Sequence, residues 1–300
     1  MGFYAVSNID IVRAIVIQGY LGYLASMKRS LMKKKKIGLA LGGGGAKGLC
    51  HIAFLKALDE MGLKPSVIAG TSIGAIVGAF YAAGVSGAQI EEILRKVRVA
   101  QINKMVDFSA PLASAFLKGK GIERFFHKHI PVRHFKDLKI PLKVVATDFW
   151  RRREVVFESG ELIPAIRASM SIPGLFKPVK IGDTVLVDGG AVNPLPYDTI
   201  RAECDILVAI DVSGAKAPRR EDHIPFFMES IMSTFQIMQR SIVEHKMRIS
   251  PPDIYIKPEL KNIRVLEFYR YAEIMWGVRH DVERFRHEVT KRMRKRFLFF

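Results

Sequence analysis

Residues 37–78 read IGLALGGGGAKGLCHIAFLKALDEMGLKPSVIAGTSIGAIVG. Ile37–Leu41 is a short apolar run that stops at four glycines, as a buried strand does. Gly48–Met61 then places Leu49, Ile52, Ala53, Leu55 and Leu58 at helical spacing. Pro65–Ala69 predicts a second strand, and Ile73–Ala83 a helix rich in small residues. Strand, helix, strand, helix at this pitch implies a mostly parallel sheet with helices on its faces.

The pattern extends along the chain. Ile90–Val99 predicts a helix, and residues 100–120, with Pro111 and Gly119, a loop or lid. Leu142–Thr147, Glu154–Phe157, Thr184–Val187 and Ile206–Val212 predict strands. Residues 213–225 hold Pro218 and Pro225 and form a linker. Met228–Met247 and Tyr269–Phe297 predict helices. A chain of 300 residues, 49% of them apolar, can bury one large α/β core. Two cysteines, Cys50 and Cys204, make no disulfide framework and suit a reducing compartment.

The turn Gly42–Gly48 lies between a strand and a helix, where unpaired N–H groups face whatever binds there. Gly43, Gly45 and Gly48 match a dinucleotide fingerprint, but no acidic residue stands near Gly70–Ser72, where one is needed. A P-loop requires Lys before Ser or Thr, and here Lys47 precedes Gly48. An oxyanion hole built on Gly43, Gly44 and Gly45 fits, with a purely structural turn as the alternative.

Gly70-Thr71-Ser72-Ile73-Gly74 is G-x-S-x-G, directly after one predicted strand and directly before a helix. That context lets a sharp turn expose a serine hydroxyl, and the small flanking residues relieve its crowding. A serine needs a base. Among the eight histidines none sits in a suggestive motif. Asp188, in Val187-Asp188-Gly189-Gly190, ends a predicted strand before a flexible turn, so its carboxylate can leave the sheet edge. A plain turn aspartate is the other reading.

These three motifs together resemble the patatin-like phospholipases. Ala168-Ser169-Met170-Ser171-Ile172-Pro173 and Ala146-Thr147-Asp148 are also similar to that family's segments, in the same order, over roughly Ile37 to Val212. The resemblance implies a three-layer α/β/α fold and a Ser72–Asp188 dyad working through an acyl-enzyme. It implies an oxyanion hole around Gly43–Gly45, with Gly70, Gly74, Gly48, Gly189 and Gly190 as supporting motif residues. Lys47 stands where relatives commonly carry Arg. No metal and no cofactor is implied, and the substrate class would be phospholipids or lysophospholipids.

The formal net charge is +18, concentrated at the two ends. Residues 9–26 are apolar but interrupted by Asp10 and Arg13, and Lys33–Lys36 follow them. The basic run comes after the apolar one, which argues against a signal peptide. The stretch is short and charged for a spanning helix. It reads as an interfacial amphipathic helix with a polybasic patch, suited to an anionic membrane surface. Val278, Val282, Phe285, Val289, Met293 and Phe297 form a stripe on a basic C-terminal helix, for core packing, membrane contact or a homo-oligomer interface. Residues 1–36 thus read as a membrane-associating segment, 37–225 as the catalytic core and 226–300 as a helical region completing the domain. The expected location is cytoplasmic and peripheral to a membrane, and no nucleic-acid reader motif is present. Two rivals stand beside the dyad. One is a Ser–Asp–His hydrolase of soluble esters or thioesters using His223 or His245. The other is a non-catalytic lipid-binding scaffold.

Overall fold

The computed structural model describes residues 35–96, 119–213, 224 and 227–294. Lys36–Arg292 form one unit by contact, and the architecture below is that unit's. The second grouping, residues 1–35 and 293–300, lies almost wholly outside the described residues. So do the expected N-terminal interfacial helix, the four terminal residues and nearly all of the expected lid at 100–120.

Along the chain come β1 (Ile37–Leu41), a 3-10 turn (Gly45–Cys50), α1 (His51–Glu60), β2 (Val67–Thr71), α2 (Ile73–Ala82) and α3 (Gly87–Lys96). Then follow α4 (Gly119–His129), β3 (Leu142–Asp148), β4 (Arg153–Phe157), α5 (Leu162–Ser169), β5 (Val179–Ile181) and β6 (Thr184–Asp188). β7 (Ile206–Ile210), α6 (Phe227–Ile249), β8 (Ile254–Ile256), α7 (Tyr271–Gly277) and α8 (Arg279–Arg294) complete it. The sheet runs β5-β6-β3-β2-β1-β7-β8, with β4 also on β3. From β3 to β8 the neighbours are parallel, while β4, β5 and β6 join antiparallel. This is the expected mixed α/β sheet flanked by helices. β1, β2 and β7 are buried along their whole length, which is why they read as unbroken apolar runs rather than alternating ones.

Some elements differ from the sequence reading. β2 begins at Val67 rather than Pro65, because proline has no N–H to donate and Ser66 N–H makes the first bond, to Ile37 O at 2.7 Å. α5 was not expected. Pro164 sits in its first turn, where the missing N–H leaves no helical bond unmade. The single helix expected over Tyr269–Phe297 is two, because α7 ends at Gly277, a residue of low helix preference. Val278, Phe285 and Val289 are fully buried, and the Phe285 ring meets Phe54 of α1 edge-on at 5.4 Å. Within the described residues the C-terminal stripe is therefore core.

Candidate active site

Ser72 follows β2 at φ 55°, ψ −121°, a backbone conformation that a residue with a Cβ rarely holds. The turn is that tight because the start of α2 presses on β1: a Cβ at Gly74 would lie 2.1 Å from Leu41 O. Ser72 is only 5% exposed. Its N–H donates to Ser169 Oγ at 2.8 Å, and Ser169 Oγ–H donates to Val145 O at 2.6 Å. One buried hydroxyl from α5 thus pins the elbow to β3.

Asp188 reaches the same place from the opposite direction. β4 occupies one edge of β3 from Val144 to Asp148. On the other edge β2 pairs in parallel up to Thr71↔Val145, and β6 pairs antiparallel down to Asp188↔Ala146. The two strands meet end to end at successive residues of β3, with their C-terminal ends facing. Contact at the junction is close: a Cβ at Gly189 would lie 2.2 Å from Val145 O. Thr147 Oγ1 donates to Asp188 O at 2.8 Å and locks the register.

The Asp188 carboxyl is 1% exposed. Its Oδ1 accepts the Gly190 N–H at 2.7 Å, and its buried Oδ2 has no hydrogen-bond partner among the described residues. Burial raises its pKa from 3.8 to about 6, against the opposing effects of the Ser72 hydroxyl and the Gly190 N–H. The hydroxyl is close enough to lower the carboxyl's pKa but does not complete a full hydrogen bond.

No described histidine takes the intermediate place. His245 is exposed on α6, and His223 lies outside the described residues. His51 is buried beside the glycine-rich turn, where its Nε2–H donates to Gly42 O at 2.9 Å. Burial lowers its pKa to about 4, so it is neutral near pH 7.

In the glycine-rich turn, Gly42 N–H donates to Ile210 O at 3.0 Å and Gly43 N–H to Pro194 O at 2.9 Å. Gly43, expected to offer its N–H to an oxyanion, therefore has that donor occupied. Its Cα still backs onto the elbow, since a Cβ there would lie 3.4 Å from Ser72 Cβ. Gly44 and Gly45 open the 3-10 turn, and neither N–H has a backbone acceptor among the described residues. Lys47 is buried at 3% exposed, and burial lowers its pKa while Asp211 opposes the shift. Asp211 also accepts from Ser213 N–H at 2.8 Å and Tyr255 O–H at 2.5 Å, and pairs with Lys257 at 3.2 Å. This buried group of charges stands under the turn and leaves Lys47 set among them rather than in solvent.

A hydrogen-bonded brace that sequence reasoning missed lies beneath Ser72 and Asp188. Thr71 Oγ1 donates to Asn193 O at 2.8 Å. Asn193 Nδ2 donates to Glu154 Oε1 at 2.8 Å, and Lys246 Nζ from α6 donates to Asn193 Oδ1 at 2.6 Å and Leu195 O at 3.0 Å and pairs with Asp198. The end of β2, β4 and α6 are thereby held to the loop that follows Asp188. Among the described residues no group of three or more His, Cys, Asp or Glu side chains is placed to hold a metal. No helix of the described residues is long and apolar enough to cross a membrane.

Comparison with known proteins bears on the family and the fold. The sequence model of the family described as patatin-like phospholipase matches residues 39–200, more than half of the chain. Lysophospholipase NTE1 of Candida glabrata is 28% identical over 274 residues, covering 81% of this chain and 16% of that protein. Human patatin-like phospholipase domain-containing protein 6 is 36% identical over 185 residues, covering 59% of this chain and 13% of that one. The chain thus spans less than a fifth of the length of these relatives. The crystal structure of VipD from Legionella pneumophila superposes with a TM-score of 0.50 at 14% identity, over 85% of this chain and 67% of that one, a likeness of fold.

Proposed function

The chain belongs to the patatin-like phospholipase family, and on that footing we propose that it hydrolyses acyl esters of phospholipids or lysophospholipids through Ser72 and Asp188. Ser72 Oγ attacks the ester carbonyl as its proton passes to Asp188, forming a tetrahedral intermediate. The N–H groups of Gly44 and Gly45 hold the developing oxyanion, and each such donor lowers the barrier by about 3–4 kcal/mol. Asp188 returns the proton to the leaving alcohol, and an acyl-Ser72 remains. Asp188 then takes a proton from water, whose oxygen attacks the acyl carbon. Collapse frees the fatty acid and returns the proton to Ser72.

The observation that carries this proposal is the end-to-end meeting of β2 and β6 on one edge of β3. It supports the pair because the Ser72 backbone is strained and the Asp188 carboxylate is buried, with a pKa of about 6 that suits a base at neutral pH. The net charge of +18 supports action at an anionic membrane surface, such as a cytoplasmic leaflet.

The test compares the parent with Ser72→Ala, Asp188→Asn and single His→Ala variants on a short-chain chromogenic ester and on lysophospholipid. Turnover should disappear in the first two and survive every histidine change. Activity that persists in Ser72→Ala would overturn the scheme. Loss confined to His223→Ala or His245→Ala would replace the dyad with a triad.

A further inference from the structure

The hairpin turn between β3 and β4 exposes two large aromatic side chains beside three arginines. Phe149 is 48% exposed and Trp150 73% exposed, their rings edge to face at 4.9 Å. Arg151, Arg152 and Arg153 follow, all exposed. The turn is rigid: Asp148 Oδ1 accepts Arg151 N–H at 3.0 Å, Asp148 Oδ2 pairs with the Arg151 guanidinium at 3.2 Å, and Phe149 N–H donates to Val185 O at 2.9 Å. Arg152 holds left-handed backbone at φ 54°, a conformation glycine takes more readily. Neither Arg152 nor Arg153 forms an ion pair among the described residues.

The place of the turn in the fold matters as much as its composition. β3 runs parallel to β2, so its C-terminal end lies at the end of the sheet where β2 delivers Ser72. Phe149 comes three residues after Ala146, the register partner of Asp188, which at strand rise is roughly 10 Å along β3.

We propose that the Phe149–Arg153 turn is the docking element that seats this end of the sheet on an anionic phospholipid bilayer. The occupant follows from the chemistry of the turn. Indole and phenyl rings settle at the headgroup boundary, where one side is apolar and the other wet. Guanidinium groups make forked bonds to lipid phosphates, and their charge complements an anionic leaflet. A fixed hairpin presents both together without ordering a loose segment first. The proposal rests on the lipid hydrolase assignment for its purpose, but its test stands apart from it.

The chain has two tryptophans, Trp150 and the exposed Trp276. In full-length Trp276→Phe protein, Trp150 is the one indole, and excitation beyond the tyrosine band reads it alone. Its emission should move to shorter wavelength with vesicles of phosphatidylcholine and phosphatidylglycerol, and stay in place with phosphatidylcholine alone. In the same background Arg152→Gln/Arg153→Gln should lower partition into the anionic vesicles about thirty-fold, the effect of two basic residues near an anionic leaflet. Phe149→Ser/Trp150→Ser should lower it further. Hydrolysis of a soluble short-chain ester should be unchanged in both, which reports an intact fold and site. Unmoved Trp150 emission while the protein sediments with vesicles would overturn the proposal, as would a Gln pair that partitions like its parent. Trp150 insertion in a protein without esterase activity would leave the docking element standing and remove the catalytic assignment instead.

Discussion

Replacing Asp188 by Asn is expected to raise stability at neutral pH while removing the base. The carboxyl is buried, and its pKa stands at about 6 against 3.8 in the unfolded chain. The folded protein therefore binds this proton more tightly than the unfolded chain does. Stability from that preference is complete below pH 3.8 and is lost as the pH rises through about 6. Linkage puts the loss below about 1 kcal/mol at pH 4 and at about 3 kcal/mol at pH 8. Asn stands in for the neutral acid at every pH. Its carbonyl can keep the Gly190 N–H, and its amide can donate to the Ser72 hydroxyl. For a domain of this size 1 kcal/mol moves the melting temperature by roughly 2–4 °C. Asp188→Asn should thus melt roughly 6–12 °C above the parent at pH 8 and within a few degrees of it at pH 4. Calorimetry across pH 4–8 measures the difference directly. An advantage that is absent at pH 8, or undiminished at pH 4, would refute the assignment of a buried, proton-binding carboxyl to this position.

Two further predictions concern the same site. On a soluble ester, kcat/KM should rise with pH through about 6 and then level, because only the ionised Asp188 accepts a proton, so the rate at pH 5 should be about a tenth of the plateau. That apparent pKa should barely move on warming, as a carboxyl's does, and a clear fall with temperature would point to an imidazole instead. Ser169→Ala removes the hydroxyl that bridges Ser72 N–H and Val145 O and takes from the buried Ser72 N–H its acceptor, at about 1–3 kcal/mol. Thermal melts should show that loss together with a fall in kcat of at least about tenfold as the elbow relaxes. An unchanged melt with unchanged kcat would show that the bridge is idle.

The residues legible in the sequence are those whose demands are local. Gly74 must lack a Cβ because Leu41 O stands in its way, and the elbow must lie between strand and helix, so G-x-S-x-G in that context could be recognised without a register. Asp188 stood out because it ends an apolar run before two glycines. The pairing of Ser72 with Asp188 came from the family resemblance and not from the residues themselves, because it depends on two strands sharing one edge of a third, and pairing register is not written in any single segment. For the same reason Ser169 showed only as part of the family-like Ala168–Pro173 segment, with no hint of its partners, and Lys246 carried no signal, since the bonds to Ser72, Val145 and Asn193 span 24 to 97 residues along the chain. Pro164 disguised α5, and the occupied N–H of Gly43 required knowing where Pro194 falls.

The strand junction also bears on the proposal of a base that needs no histidine. An ordinary carboxylate near pKa 4 is a poor acceptor for a serine proton at neutral pH, and a triad raises the basicity by inserting an imidazole. Here the rise comes from place. β6 ends against β3 with one carboxylate oxygen held by the next turn and the other left unpartnered in the core, so burial alone brings Asp188 near neutrality. A histidine between Ser72 and Asp188 would need space that the junction does not leave, since Thr71 and Asp188 stand opposite successive residues of β3. The strained φ of Ser72 and the penalised charge of Asp188 are both costs to stability, located at the one point where the strands collide. Ser169 from α5, Thr147 from β3 and the brace at Asn193 hold that point in place against those costs. The fold thus concentrates its unfavourable geometry where the proposed chemistry needs it, and surrounds it with hydrogen bonds whose removal should show in stability and rate together.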